Sequence, residues 1–197
     1  PEFDRRVLEV LREPLESGRI MISRAARQAE FPAQFQLIAA MNPCPCGYLG
    51  EPSGRCHCNI DQIERYRRKI SGPLLDRIDM HVEVPRVAYN ELQGPPGEAS
   101  ADVRMRVTGA RERQQQRANA LNSRLNNRQV ELFCKLDDAD RLLLQHAMER
   151  LQLSARAYHR ILKVARTIAD LEDCEGIASA HLGEAIGYRQ LDRNRPH

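Results

Sequence analysis

The hydrophobic pattern changes from short, mixed segments in the first half of the chain to long helical segments in the second. Apolar residues at positions 3, 7, 8, 11 and 15 recur at helical spacing and Gly18 follows them, which predicts a helix over 3–18. Two short extended runs flank a basic tip and predict a β-hairpin over 18–35. Residues 36–42, QLIAAMN, form a continuous apolar run, which is typical of a parallel strand buried on both faces.

A helix and a strand are predicted next. The segment NIDQIERYRRKI has an apolar helical face, with Asn59 able to cap the helix and Gln62 at the capping-box position. The tripeptide at 71–73, Ser-Gly-Pro, is expected to end that helix. Apolar residues then alternate with polar ones from 78 to 84, which predicts a strand that ends at Pro85.

A linker and a helical region complete the predicted organisation. Residues 94–100, GPPGEAS, are the strongest linker candidate in the chain. Helices are predicted over about 101–122, 137–151, 155–171 and 179–189, with Ser154 and Ser179 at N-cap positions. The pattern therefore predicts an α/β portion over 1–93, a linker over 94–100 and an all-helical domain over 101–197.

Composition is that of a globular protein with a small basic excess. The chain has 197 residues, 42% of them hydrophobic, and no apolar run approaches the roughly 18 residues of a membrane span. The net charge is +3, carried mainly by Arg, since only three residues are Lys. Arg matches phosphate geometry but can equally reflect genomic base composition. The low aromatic content, 5% without Trp, argues against a base-stacking platform.

The start of the chain and its location carry expectations of their own. PEFDRR begins without Met inside a predicted helix, and it does not resemble a signal peptide. We therefore expect a piece of a longer cytoplasmic protein that does not associate with membranes.

Four of the six cysteines lie in one short loop. Cys44, Cys46, Cys56 and Cys58 form two Cys-x-Cys pairs around a Gly- and Pro-rich turn, with His57 as a possible substitute ligand. Such a loop can place four thiolates around Zn²⁺, and a closed shell of four ligands would make the site structural. Two disulfides or four idle thiols are the alternatives, and a cytoplasmic location disfavours disulfides. The isolated Cys134 and Cys174 are expected in the core.

Two polar residues follow predicted strand or helix ends. Asn42 stands at the carboxyl end of the apolar run, where α/β sheets bind ligands, although it could be a plain turn residue before Pro43. Arg77 lies in LLDRID, where a surface ion pair with a neighbouring Asp is the alternative to a functional role.

Three further arginines could meet phosphate. Arg156 falls in the first turn of a predicted helix, where a cation opposes the helix dipole. Arg24 and Arg27 on the hairpin tip could contact a phosphate backbone, although most charged tips are merely solvated. No Gly in the chain is followed by Lys, so the chain has no P-loop and is not expected to hydrolyse a nucleotide by that route.

Four stretches resemble one protein family: PEFDRRVLEVLREPLESG, FQLIAAMNPCPCGYLG, ISGPLLDRIDMHVEVP and LSARAYHRILKVARTIADL. They are similar to the bacterial magnesium chelatase-like AAA+ ATPases, specifically the ComM group, also called YifB. The resemblance covers nearly the whole chain, and NPCPCG and GPLLDRID are its specific parts. It implies the C-terminal part of an AAA+ α/β core, a partial parallel sheet with a hairpin insert and a zinc loop, followed by an all-helical lid.

The resemblance also implies roles for single residues. Asn42 matches sensor 1, which orients the attacking water, and Arg77 matches the arginine finger offered to a neighbouring subunit. Arg156 matches sensor 2 in the lid, acting on its own or on the neighbouring nucleotide. The hairpin matches the pre-sensor 1 insert, which makes DNA contact by Arg24 and Arg27 plausible. The P-loop and the Walker B acidic pair would lie upstream, and Glu2 does not take the latter role.

The activity implied by the resemblance is that of a hexameric motor. Proteins of the ComM group use ATP and Mg²⁺ to drive helicase-type branch migration of DNA during natural transformation and recombination. Because this chain lacks the P-loop and the Walker B acidic pair, it should be inactive alone. A non-catalytic, zinc-stabilised nucleic-acid-binding module is one alternative. The ATPase subunit of a metal chelatase is another, and the paired cysteines argue against it.

Overall fold

The computed structural model describes residues 1–24, 27–52, 54–87 and 89–189. The chain forms two compact units, Pro1–Ile78 and Asp79–His197. None of the helices in these described ranges has both the length and the apolar character needed to cross a membrane.

The first unit begins with two short helices and a hairpin. Helix α1 (Arg5–Val10) is followed by α2 (Arg12–Ser17), which ends at Gly18 with a left-handed φ of 69°. Strands β1 (Arg19–Arg24) and β2 (Arg27–Pro32) pair antiparallel, in a register that runs from Arg19 opposite Pro32 to Arg24 opposite Arg27. The predicted helix over 3–18, interrupted only at Leu11, and the predicted hairpin are both confirmed. The tip residues of the hairpin, 25 and 26, lie outside the described residues.

The two other predicted strands are wrong for the described structure. Residues 36–42 and 78–84 form no ladder, and the hairpin is the only sheet among the described residues. Side chains that a buried strand would enclose are instead exposed to solvent, with Ile38 and Val84 each 84% exposed. A buried parallel strand needs hydrogen-bonding neighbours on both edges. None of the described segments supplies them, so the predicted partial parallel sheet is absent from this part of the chain.

Helix α3 (Ile60–Arg67) starts as the sequence predicts. The Asn59 side chain accepts a hydrogen bond from the Gln62 N–H at 2.9 Å, and the Gln62 side chain accepts one from the Asn59 N–H at 3.0 Å. Helix α3 ends at Arg67, before the tripeptide 71–73 that was expected to end it, and this tripeptide starts the next turn instead. The Ser71 hydroxyl accepts a bond from the Leu74 N–H at 3.2 Å and thereby caps a further turn, α4 (Gly72–Leu75).

The second unit is helical throughout its regular structure. Its elements are α5 (Tyr89–Leu92), α6 (Ser100–Ala118), a 3₁₀ turn (Asn122–Arg124), α7 (Asn127–Phe133), α8 (Asp138–Leu151), α9 (Ala155–Leu171) and α10 (Ser179–Gly187). Helix α9 is central, because it contacts α6, α7, α10 and the 3₁₀ turn. The core comprises Leu125, Val130, Cys134, Leu144, Ile161, Leu162, Ala165, Ile168, Leu182 and Ala185.

Two details of this unit correct the sequence-based expectations. Ser154 caps α9 as predicted, but Ala178 occupies the N-cap of α10, and the Ser179 hydroxyl instead donates to Asp140 Oδ1 at 2.5 Å. Cys134 is buried in the core, whereas Cys174 is exposed. Cys174 lies just beyond α9, so the core does not enclose it.

A buried carboxylate joins three helical elements of the second unit. Asp170, whose side chain is 1% exposed, accepts two hydrogen bonds from Arg117, each of 2.7 Å, and one of 2.8 Å from Asn122 Nδ2. The Arg166 NH2 atom lies 3.1 Å from Asp170 Oδ1. Burial alone would raise the pKa of Asp170, but the bonds from Arg117 and Asn122 outweigh it and the pKa is lowered. The ion pairs with Arg117 and Arg166 therefore stabilise the ionised form of Asp170.

Asp170→Asn is expected to destabilise the protein by about 3 kcal/mol at neutral pH, because it leaves the buried Arg166 guanidinium and the partly buried Arg117 guanidinium without their anion. The contribution is present above the ordinary carboxyl pKa and is lost as pH falls through the lowered folded-state pKa. Urea unfolding at pH 7 and at decreasing pH measures both effects. Asp138→Asn is the control, since this side chain is 97% exposed. Equal free energies of unfolding for the two variants would contradict a stabilising role of the Asp170 carboxylate.

Candidate metal centre and nucleotide-site residues

The four loop cysteines converge in space. Their Sγ atoms all lie within 4.8 Å of one another, and the separations are 3.3 Å for Cys44–Cys46, 3.8 Å for Cys44–Cys56 and 3.7 Å for Cys46–Cys56. Four sulfurs at about 2.3 Å from a tetrahedral Zn²⁺ would be about 3.8 Å apart. All four cysteines are free, and their spacing is too wide for S–S bonds. The residues therefore fit a Cys₄ zinc site.

Glycines give the loop its shape. Gly47 and Gly50 have φ values of 81° and 85°, a region that other residues adopt only with strain. The Gly47 N–H donates to the Cys44 carbonyl at 3.0 Å, and the Glu51 N–H donates to the Tyr48 carbonyl at 3.1 Å. These turns bring the two Cys-x-Cys pairs together. His57 is outside the ligand cluster formed by the described side chains.

The thiols differ in their environment. Burial would raise the pKa of Cys44, but hydrogen bonds from Cys46 and from the backbone lower it to about 6. The backbone hydrogen bond from Cys46 would lower the pKa of Cys58, but bonds among the thiols and burial raise it to about 11. Cys44 is also the only member of the cluster with no exposed surface. A metal cation bound among the four sulfurs would stabilise the thiolate form of all four.

The donor set also defines what such a metal could do. Four thiolates complete a tetrahedral shell, which leaves no position for a reactive water or a substrate. A zinc ion held by Cys44, Cys46, Cys56 and Cys58 would therefore be structural. Its contribution would be to stabilise the loop and whatever the loop contacts.

Asn42 adjoins this cluster. It precedes Cys44 by two residues, and a Cβ on Gly47 would lie 3.7 Å from Asn42 Cγ, so the Asn42 side chain lies against the first turn of the loop. Asn42 is exposed, in an irregular segment and not at the end of a paired strand.

Arg77 follows α4, and its side chain is only 9% exposed. Its NH1 donates to the Pro73 carbonyl at 2.7 Å, and its Nε lies 2.9 Å from Glu16 Oε2. The sequence suggested neighbouring aspartates as possible partners, but Asp79 pairs with Arg160. The Arg77–Glu16 pair joins segments that are distant in sequence, so local reasoning could not find it.

The remaining predicted arginines are at the surface. Arg24 and Arg27 are exposed and lie opposite each other as the last pair of the hairpin. Arg156 is exposed in the first turn of α9, in the second compact unit, as the sequence predicted.

Sequence reasoning missed a contact between helix α3 and the start of the cysteine loop. Tyr66 is buried on the inner face of α3, and Arg67 Nε donates to the Pro43 carbonyl at 3.3 Å. The apolar spacing of α3 marks Tyr66 as an inward-facing residue. Nothing in that spacing identifies Pro43 as the partner of Arg67.

A second group of potential ligands is a structural cap. Glu172, Cys174 and His181 lie close together at the start of α10. His181 Nδ1 accepts a bond from the Ala178 N–H at 3.0 Å, so a neutral ring carries its proton on Nε2, which lies 2.9 Å from Glu172 Oε2. Both ring nitrogens are used in joining the α9–α10 connection. This arrangement explains the cluster without a metal.

Comparison with known proteins matches almost the whole chain. The family "Magnesium chelatase, subunit ChlI" matches residues 1–92, and "Magnesium chelatase, subunit ChlI C-terminal" matches residues 97–189. The two matches meet around the segment predicted as a linker.

Curated relatives are similar over the same extent. "Competence protein ComM" of Haemophilus influenzae is 51% identical over 195 residues, and "Uncharacterized protein YifB" of Escherichia coli is 47% identical; each alignment covers 98% of this chain and 38% of the relative. "Uncharacterized protein Rv2897c" of Mycobacterium tuberculosis is 35% identical over 98% of this chain. The chain thus spans somewhat over a third of the length of these relatives. With both family matches and these identities, the chain belongs to the magnesium chelatase-like AAA+ family, within which ComM and YifB are its relatives.

Proposed function

We propose that this chain is the sensor- and lid-bearing portion of a hexameric, ATP-driven DNA motor that remodels DNA during natural transformation and recombination. The observation that carries the proposal is the 51% identity to a competence protein across 98% of the chain. The relatives are much longer, so the ATP- and Mg²⁺-binding elements would come from the rest of such a protein. This portion would supply the residues that respond to the nucleotide.

Each proposed role fits the local surroundings of its residue. The carboxamide of Asn42 is exposed and could orient a water, beside a loop that zinc would stiffen. Arg77 is held by Glu16 and would exchange that carboxylate for the phosphate of a neighbouring subunit. Arg156 lies at the positive end of the α9 dipole, where a bound anion would offset its charge.

The hairpin would contact DNA. Nearly all residues of β1 and β2 are exposed, which is the burial pattern of an insert without a second layer in this unit. Arg24 and Arg27 at its end would contribute phosphate contacts. Because pore contacts add up around a ring, we propose that this chain alone binds DNA weakly.

A direct experiment compares the complete protein with this chain alone. We expect ATP hydrolysis stimulated by DNA in the complete protein, no hydrolysis by the chain, and only weak DNA binding by the chain. Each phosphate contact adds about −0.9 to the slope of log K against log salt concentration. Strong binding by the chain alone, with a slope that reports several contacts, would contradict the motor and favour a zinc-stabilised nucleic-acid-binding module.

A metal chelatase ATPase subunit is the second candidate, because both matching families carry that name. ATP hydrolysis by the complete protein that DNA does not change would favour it. Arg24→Ala/Arg27→Ala separates the two candidates further. The motor predicts that this double variant loses DNA stimulation while keeping basal hydrolysis.

A further inference from the structure

A groove between α1 and α3 in the first unit is lined by charged side chains. Its volume is about 410 Å³. Four of the six lining residues are basic and two are acidic, which gives the groove a net charge of +2, and five of the six are exposed. The lining residues are Arg5, Asp61, Glu64, Arg65, Arg68 and Lys69. The groove is therefore positively charged and open to solvent.

Ion pairing leaves three of the four cations available. Arg68 NH2 lies 2.8 Å from Glu64 Oε2, so the charge of Arg68 is already compensated. Within the described ranges, Arg5, Arg65 and Lys69 form no ion pair. These three side chains can accept an anionic partner without first giving up a carboxylate.

The geometry of α3 does not by itself account for so many cations at one helix end. Four of the five residues from 65 to 69 are basic, whereas the C-terminal end of a helix carries only about half a negative charge. Arg65 and Lys69 are four residues apart and so lie on one face, where like charges repel each other. Arg67 is used elsewhere, since its Nε donates to the Pro43 carbonyl. An anion bound in the groove would offset the repulsion between Arg65 and Lys69.

The lining favours a phosphate backbone as that anion. Arg5 contributes from α1, whereas Arg65 and Lys69 contribute from the end of α3, so phosphates would be contacted from both walls. The carboxylate without an ion pair, Asp61, lies in the first turn of α3, away from Lys69. None of the six lining residues is aromatic, so a base would find no stacking surface. An open groove of this kind suits a polymer that passes through it and is bound independently of its sequence.

We propose that the groove between α1 and α3 is a second nucleic-acid contact surface of the first unit, in which Arg5, Arg65 and Lys69 bind the phosphate backbone. Its residues are all different from those of the hairpin. The choice of DNA as the nucleic acid rests on the proposed function. Arg68 contributes little, because Glu64 already neutralises it.

Arg65→Gln/Lys69→Gln in the complete protein tests the proposal through binding of a fluorescent DNA duplex of mixed sequence over a series of salt concentrations. Glutamine removes the charge and retains good helix propensity, and both side chains are exposed, so α3 should stay folded. Each phosphate contact adds about −0.9 to the slope of log K against log salt concentration. We therefore expect a slope less steep by about 1.8 for each subunit in contact with DNA, and an affinity roughly tenfold lower.

Two further variants make the test specific. Arg5→Gln removes the cation of the opposite wall and should change the slope by about 0.9 for each contacting subunit. Arg111→Gln/Arg128→Gln is the matched control, because it removes two exposed arginines from α6 and α7 of the second unit. The control should bind DNA like the wild type.

Groove variants with the affinity and salt slope of the wild type, or an equal loss in the control, would overturn the proposal. Failure of the proposed function has a different signature, which is ATP hydrolysis by the wild-type protein that DNA does not stimulate. If the groove variants lose DNA affinity in that case, the groove is a nucleic-acid surface and the motor assignment is wrong. If DNA stimulates hydrolysis but the groove variants bind DNA normally, only the groove is excluded.

Discussion

Replacing Arg77 by alanine in the complete protein is expected to lower ATP turnover by about 10³-fold, with ATP affinity nearly unchanged. An arginine finger stabilises charge that develops in phosphoryl transfer, and where such fingers have been dissected they contribute 10³–10⁵ in rate, about 10³ being the low end. Arg77 is suited to this role because its guanidinium already holds a carboxylate, that of Glu16, in a largely buried position. Steady-state ATP hydrolysis measures the effect.

Two control variants make this prediction specific. Glu16→Ala breaks the same ion pair but keeps the guanidinium, so turnover should stay close to wild type even if stability falls. Arg68→Ala removes an exposed arginine that pairs within α3, and it should change little. If Glu16→Ala reduces turnover as strongly as Arg77→Ala, the pair is structural and the finger assignment is wrong.

A finger acts on the nucleotide of a neighbouring subunit, and mixing of subunits tests that directly. In the proposed ring, Arg77→Ala subunits would retain a complete nucleotide site of their own. Combined with subunits that cannot bind ATP but keep Arg77, they are expected to regain hydrolysis. Mixed rings without any recovery would contradict action between subunits.

The Cys56→Ser variant is expected to lose the metal and to unfold the cysteine loop locally. A structural zinc site contributes about 10 kcal/mol or more of binding free energy. When one of the four cysteine ligands is removed, the folded loop loses this stabilisation. Zinc content should fall from about one per chain to nearly none, and amide exchange should rise across the loop, including at the bonded amides of Gly47 and Glu51. Cys174→Ser is the control, since Cys174 is exposed outside this cluster. Retained zinc with unchanged exchange in Cys56→Ser would contradict the Cys₄ assignment.

Features set by a few neighbouring residues were predictable from the sequence. Asn59 with Gln62, Ser154 before α9 and Gly18 after α2 act through bonds or φ angles inside one turn, so their residue types identify them. The cysteine cluster was predictable for the same reason, because two Cys-x-Cys pairs around a turn have few ways to fold. Helix α7 was missed although its capping box, Asn126 with Gln129, is the same signal.

Features set by distant partners were not predictable. Apolar runs at 36–42 and 78–84 have strand composition, but a strand exists only when neighbours pair with it, and no described segment does so. The Arg77–Glu16 pair and the hydrogen bond from Arg67 to the Pro43 carbonyl depend on tertiary packing. Motif resemblance could nominate Asn42 and Arg77, but only the structure shows what holds them.

Residues 44–58 are proposed to form a zinc centre beside Asn42, and the metal content of the purified chain shows whether they do. Elemental analysis should be combined with thiol titration under denaturing conditions in the presence of a chelator. We expect about one zinc per chain and six reduced thiols. A metal-free chain whose loop cysteines are oxidised, or react freely without denaturant, would contradict it.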